Sequence, residues 1–155
     1  MCDEMLRGLG KWLRIAGYDT AIAEPGSADR QILEMAAKEQ RLLITRDRDL
    51  ARQRLARGRV LLLSEQGMAA WAAELKRKLG IDWLYRPFSR CLLCNCPLCP
   101  GPGPLASLLP EHIVRDPDAC WHCPTCMKPY WAGSHVRRMR NRLRRWAMND
   151  SDAKV

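Results

Sequence analysis

Apolar residues recur at helical spacing near the start of the chain. Leu6, Leu9, Trp12, Leu13 and Ala16 lie three or four residues apart or side by side, so Met5 to Ala16 predicts an amphipathic helix that Gly17 stops. Asp19-Thr20-Ala21-Ile22-Ala23 predicts a short strand. Pro25-Gly26 marks a turn, and Ser27 is positioned to cap a second helix through about Gln40, with Ile32, Leu33, Met35 and Ala36 inward. Leu42-Leu43-Ile44-Thr45 is an unbroken run, the pattern of a strand buried on both faces of a parallel sheet. The polar stretch Arg46-Asp47-Arg48-Asp49 leads into a helix of about Leu50 to Arg57, and Val60 to Leu63 repeats the buried-strand pattern. A helix from about Met68 to Leu79 presents Trp71, Ala72, Leu75 and Leu79 on one face. Strands alternating with helices predict an α/β layer fold with a mostly parallel sheet.

The pattern changes after Phe88. Cys91 to Pro110 is rich in Cys, Pro and Gly, so metal rather than an apolar core is expected to hold it. Ser134 is positioned to cap a last helix, His135 to about Met148, whose stripe is Val136, Met139, Leu143 and Trp146. Six arginines cover the rest of it: Arg137, Arg138, Arg140, Arg142, Arg144 and Arg145. Trp12, Trp71 and Trp146 read as core, and Trp121 and Trp131 as the mini-core of the small module rather than stacking platforms.

Composition narrows the setting. In 155 residues no apolar run reaches the ~18 needed to cross a bilayer, and the first residues lack a signal-peptide pattern, so a cytoplasmic protein with no membrane partner is expected. In a reducing compartment the eight cysteines read as metal ligands rather than disulfides. Net charge is +9, and residues 119–149 hold seven Lys/Arg with no Asp or Glu, a field that favours phosphate-rich partners such as RNA. His135, at a helix start, can meet a phosphate alongside backbone N–H groups.

Cys91-Leu92-Leu93-Cys94 and Cys123-Pro124-Thr125-Cys126 are two knuckles whose thiolates can close a tetrahedral zinc shell. Cys96 with Cys99 and Cys120 with Cys123 are competing pairs that spacing leaves open. A second metal would need His122 or His112. Carboxylates form the other candidate centre. Ligands of parallel α/β sheets bind at the carboxyl ends of the strands. Asp3, just before the first helix, and Asp47, just past the Leu42–Thr45 strand, fall there, with Asp29, Asp49 and, more weakly, Glu4 as further members. Several carboxylates without His or Cys suit Mg²⁺ or Mn²⁺, which can generate a hydroxide and neutralise a phosphodiester under attack. Each acid also has a plainer reading: Asp29 complements a helix dipole, Asp47 or Asp49 caps the next helix, and Asp3 is solvated surface.

Several segments resemble the Mut-seven C-terminal RNase family: Cys2-Asp3-Glu4-Met5-Leu6, Trp12 to Thr20, Leu43-Ile44-Thr45-Arg46-Asp47, Arg86-Pro87-Phe88-Ser89-Arg90 running into the first knuckle, and the second knuckle followed by Tyr130 to Met139. The match runs in order over almost the whole chain. The resemblance implies a PIN-like three-layer α/β domain with an appended zinc ribbon and metal-dependent RNA cleavage. By position it implies Asp3, Asp29 and Asp47 as Mg²⁺/Mn²⁺ ligands, with Asp49 a further catalytic candidate, and Cys91, Cys94, Cys123 and Cys126 as zinc ligands. Where that family runs a full apolar strand into the first acid, only Met1 and Cys2 precede Asp3 here: either the given start lies a few residues too late or the first strand is stunted, and a stunted strand would hold Asp3 loosely.

The expected organisation is a nuclease domain over 1–88, a zinc ribbon over 89–133, a basic helix over 134–148 and a disordered tail over 149–155. The expected activity is RNA hydrolysis at the acids, with the ribbon and the arginine helix holding the substrate. A non-catalytic nucleic-acid-binding protein and a zinc-stapled protein-interaction adaptor are the rivals.

Overall fold

A computed structural model describes residues 1–114 and 120–148, so the tail expected over 149–155 lies outside the described residues. The chain divides into two units, one of Met1–Leu13 with Thr20–Ile81, the other of Arg14–Asp19 with Asp82 onward.

The first unit is built on a small parallel sheet. Strands β1 (Leu43–Thr45) and β2 (Val60–Leu62) pair in register, Leu43 opposite Val60 and Thr45 opposite Leu62. Cys2 adds parallel bridges to Ile44 on one side and Ile22 on the other. All three residues of β1 are buried, as its unbroken apolar run requires, whereas β2 is half-buried because it pairs along one edge only. The strand expected over Asp19–Ala23 reduces to the Ile22 bridge, since Cys2 offers one N–H and one C=O, to Ala21 and from Ala23 respectively. Helices α1 (Arg7–Ile15), α2 (Asp29–Lys38), α3 (Arg48–Arg52) and α4 (Met68–Leu79) follow the expected order. A single 3₁₀ turn, Glu4–Leu6, precedes α1 and another, Arg54–Ala56, follows α3. One core cluster joins Met1, Ile32, Leu33, Leu43, Leu50 and their small neighbours. Gly10 is required in α1, because a Cβ there would lie 2.7 Å from the Ile22 side chain.

Local chemistry departs from expectation in several places. Ser27 does not cap α2; its hydroxyl turns back to the Glu24 carbonyl, and Ala28 takes the cap position, its amide donating to the Gln31 side chain. Helix α3 begins earlier than Leu50, because Asp47 caps it. Leu79, in the last turn before the left-handed Gly80, is exposed, and the inward face of α4 holds Glu74 beside Ala72 and Leu75.

The second unit is built around an antiparallel sheet in the order β3 (Cys99–Pro100), β4 (Cys120–His122), β5 (Pro129–Trp131), followed by α6 (Ser134–Met148). A 3₁₀ segment, Gly103–Leu108, and a short helix α5 (Glu111–Val114) lie between β3 and β4. Ser134 is the first helical residue rather than the cap: the Arg137 amide closes the first turn onto the Gly133 carbonyl. Leu143 and Trp146 of α6 are buried, and Trp146 meets the fully buried Trp83 edge-on, centroids 5.0 Å apart. Trp12 and Trp71 are half-buried rather than core. Leu109, Ile113 and Cys120 form an apolar cluster, so the Cys/Pro/Gly-rich segment is not held by sulfur alone. Among the described residues no helix is long and apolar enough to cross a membrane.

Glu74 is fully buried yet ionised. Burial works against its charge, but the Lys78 ammonium at 2.6 Å, the amides of Glu65 and Ser64 and the Ser64 hydroxyl outweigh it, lowering its pKa from 4.5 to about 2. A depressed folded pKa stabilises the native state above the unfolded value and loses that contribution as pH falls through the folded one. At ~1.4 kcal/mol per pKa unit this amounts to about 3 kcal/mol. Glu74→Gln is therefore expected to lose about 2–3 kcal/mol at pH 7, and the deficit should shrink as pH falls from about 4.5 towards 2. Urea unfolding of the two proteins in parallel checks this.

Candidate functional site

Asp3 and Asp47 lie at the carboxyl ends of neighbouring parallel segments, and one side chain joins them. The hydroxyl of Thr45, the last residue of β1 and fully buried, donates to Asp3 Oδ2 at 2.7 Å and accepts the Asp47 amide at 2.9 Å. Asp3 is not loose. Its amide donates to the Ile44 carbonyl, the Ile44 amide donates to Met1, and only 5% of its surface is exposed. Cys2, immediately before it, is laced on both sides, to Ile22 and to Ile44. No buried polar side-chain atom among the described residues lacks a partner, so the Asp3 oxygen that Thr45 does not reach keeps access to solvent.

Asp47 does serve as a helix cap, its Oδ1 accepting the amides of Asp49 and Leu50 at 2.7 and 3.0 Å, which leaves Oδ2. Asp29 opens α2 half-buried, and its Oδ2 accepts from Gln53 Nε2 at 3.1 Å. Asp49 is exposed and faces Arg52 at 3.4 Å, a surface pair of little energetic weight. The Glu4 carboxylate accepts the Gly26 amide at 2.7 Å, so it clamps a turn. Asp3, Asp29 and Asp47 do not draw their oxygens into one tight cluster: the group of three or more candidate ligands that meets among the described residues is made of sulfur.

That group is Cys91, Cys94, Cys123 and Cys126, whose Sγ atoms all lie within 4.8 Å of one another. Cys91 to Cys126 is 3.4 Å and Cys94 to Cys123 is 3.3 Å. A disulfide needs ~2.05 Å, whereas a zinc tetrahedron with ~2.3 Å bonds has edges of about 3.8 Å. Both knuckles therefore meet at one point, and the donor set fits zinc. Burial pushes the Cys91 thiol up, but the Cys94 and Leu93 amides, the Tyr130 hydroxyl and the Cys126 thiol outweigh it and bring its pKa down to about 6. Burial and the three neighbouring thiols push Cys126 up to about 12. Four sulfurs at this distance cannot all shed their protons unless a cation takes their place.

The remaining cysteines are elsewhere. Cys120 packs with Leu109 and Ile113, Cys2 is in the core of the first unit, and Cys96 and Cys99 are half-buried outside the cluster. The His122 ring lies 3.1 Å from the Gly101 carbonyl, and the His112 side chain lies outside what is described. On α6 the six arginines and His135 are all exposed. They are not equivalent: Arg140 lies over the Phe88 ring at 5.2 Å, Arg142 lies 6.0 Å from the Trp146 ring, and Arg138 contacts His135 Nδ1 at 3.2 Å. Trp121 is half-buried, but Trp131 is 41% exposed and is not mini-core.

Residue patterns did not single out Thr45, Gln53, Arg14 or Tyr130. Tyr130 reaches Cys91 Sγ at 3.1 Å and accepts the Leu92 amide, and the buried Arg14 guanidinium donates to the Leu92 and Leu93 carbonyls at 2.9 and 2.7 Å. Only Thr45 left a signal, a polar residue closing an apolar run.

Purified full chain is expected to hold one zinc per molecule by atomic absorption. Cys91→Ser or Cys126→Ser should lose it and Cys96→Ser should retain it. Chelation should melt the second unit, since structural zinc supplies roughly 10–16 kcal/mol of folding free energy in small modules.

Residues 1–143 match the family model described as the Mut7-C RNAse domain. A human protein described as "Exonuclease mut-7 homolog" is 31% identical over 100 residues, which are 62% of this chain and 11% of that protein, so the chain spans a small part of that relative's length. No solved structure matches the chain. With a model covering all but its last residues, this chain belongs to the Mut7-C RNAse domain family.

Proposed function

We propose that the protein is a metal-dependent ribonuclease that hydrolyses RNA phosphodiester bonds. A PIN-like three-layer domain over 1–88 would carry the reaction, with a zinc ribbon over 89–133 and the basic helix over 134–148 gripping RNA in the cytoplasm. Family membership supports nuclease chemistry, and one observation carries the assignment of the site: the Thr45 hydroxyl bridges Asp3 to Asp47 across adjacent parallel segments, with a carboxylate oxygen left over on each.

Asp3, Asp47 and Asp29 would hold Mg²⁺ or Mn²⁺, with Asp49 at the margin. The donor set fits a hard cation, being oxygen only. When bound, such an ion supplies an activated water and neutralises charge on the scissile phosphate. The chain's own contribution is positional. Thr45 keeps one Asp3 oxygen occupied, so the other points in a fixed direction. The cap fixes Asp47 in the same way, and Gln53 fixes Asp29. The exposed arginines of α6 and His135 would hold backbone phosphate without reading sequence. Cys91, Cys94, Cys123 and Cys126 would hold the zinc that folds that end.

A second reading has its own support. Asp47 spends one oxygen on a helix cap, and the acids do not converge, as expected of a nucleic-acid-binding protein without catalysis.

With Mn²⁺, the full chain should cleave labelled single-stranded RNA, and Asp3→Asn should reduce the rate at least a hundredfold without lowering RNA affinity. Asp47→Asn should do the same, because an Asn side chain still caps α3. Salt-sensitive binding with no cleavage would favour the second reading, and cleavage by both variants at the rate of the unsubstituted protein would sink the first. Thr45→Val, which keeps shape and removes the bridge, should cost about 2 kcal/mol of stability and lower the rate more than tenfold.

A further inference from the structure

The geometry points to a nucleotide-binding recess on the second unit, seated on the Tyr18–Tyr85 pair and flanked by Arg86 and Arg90. It rests on the nucleic-acid reading above and adds a subsite that takes one unit of a single strand, base and phosphate together.

The recess has a volume of about 310 Å³ and is lined by both tyrosines, both arginines, Asp19 and Ser89 among others. That is the lower end of the ~300–1,000 Å³ range of small-ligand sites, room for one nucleotide. Its walls are built rather than incidental. The Gly17 backbone has φ +101°, and a Cβ there would lie 2.5 Å from the Arg86 carbonyl, so only glycine lets the two segments approach. The Arg86 amide donates to Ala16 and the Phe88 amide to Ile15, which fixes the segment carrying both arginines against the end of α1.

Three chemistries line this space. Tyr18 and Tyr85 stack with centroids 5.2 Å apart at 28°. Tyr18 is held by the Asp82 amide on its hydroxyl at 2.9 Å, and Tyr85 is 54% exposed, so the pair offers a fixed aromatic face to a base. Arg90 gives Nε to the Gly17 carbonyl at 3.3 Å and Nη1 to the Asn95 carbonyl at 2.9 Å, which orients its guanidinium. The Arg86 side chain makes no hydrogen bond or ion pair among the described residues. Two guanidinium groups beside an aromatic face suit a phosphate attached to a base. Asp19 accepts from Asn95 Nδ2 at 2.7 Å and repels a bare anion. A ligand with its own hydroxyl or amino donors offsets that repulsion, so a nucleotide is favoured over free phosphate.

The test is a chemical-shift titration of the zinc-loaded full chain with 5′-AMP, adenosine, inorganic phosphate and phenyl phosphate. Saturable shifts at the Gly17, Tyr18 and Ser89 amides are expected with 5′-AMP, with the other three at least tenfold weaker. Arg86→Gln should weaken 5′-AMP about tenfold and leave adenosine unchanged; Tyr85→Leu should weaken both. Both positions are exposed, so the fold should survive, and an unchanged spectrum away from the recess checks that. On a fluorescein-labelled single-stranded RNA, Arg86→Gln should make the slope of log K against log salt shallower by about 0.7, which a purely structural role would not do. No saturable shift, shifts that neither variant alters, or equal affinity for phenyl phosphate would overturn the recess. RNA cleavage with KM unchanged in both variants would also overturn it while leaving the nuclease reading standing. Binding of 5′-AMP lost in the variants, in a protein that never cleaves RNA, would uphold the recess and remove the nuclease reading.

Discussion

One hydroxyl holds the acidic end of the first unit together. Thr45 has a single proton and gives it to Asp3; its oxygen then accepts the Asp47 amide. Both contacts depend on register. In a strand the side-chain period is two, so a slip of β1 by one residue would turn Thr45 away and bring Ile44 or Arg46 to its place. What prevents the slip is the apolar run itself, buried on both faces and paired with Cys2 on one side and β2 on the other. The proposed metal ligands are therefore only as well ordered as the packing of a three-residue strand.

The second unit answers a different constraint. Its sheet strands are two or three residues long, and its apolar cluster of Leu109, Ile113 and Cys120 is small. Sheets of that size are marginal without further support. Four thiols within 4.8 Å could supply it only if a cation balances their charge, and a zinc ion held there would relieve the crowding that drives Cys91 and Cys126 apart in proton affinity. Arg14 and Tyr130 act on the first knuckle from outside, one on its carbonyls and one on its sulfur, which fixes ligand direction before any metal arrives.

Much of this was legible because it is periodic or locally spaced. Helix α4 falls on Met68–Leu79 as its stripe predicts, β1 falls in its apolar run, and the two CxxC knuckles meet. What escaped lies off the pattern. Glu74 occupies an inward position of α4 because Ser64, Glu65 and Lys78 surround its carboxylate, and apolar periodicity cannot register a buried charge whose partners lie four, nine and ten residues away. Asp47 was open to both a capping and a ligand role, and its Oδ1 does cap α3. Gln53 matters through one hydrogen bond to a residue 24 positions distant, and Tyr130 through two to residues 39 and 38 positions distant, which no local spacing encodes.

The cap on Asp47 does not by itself argue against a metal at the proposed site. A carboxylate has two oxygens, and a cap that takes one of them removes a rotational freedom that metal binding would otherwise have to remove. The cost is charge: an oxygen accepting two amides donates less to a cation. On the proposed reading, a ligand set of this kind would bind Mg²⁺ or Mn²⁺ weakly until a phosphate oxygen joined it, which would tie metal occupancy to the presence of RNA. Selectivity would then have to come from the substrate's availability as a single strand, because exposed arginines and aromatic faces recognise what every nucleotide shares.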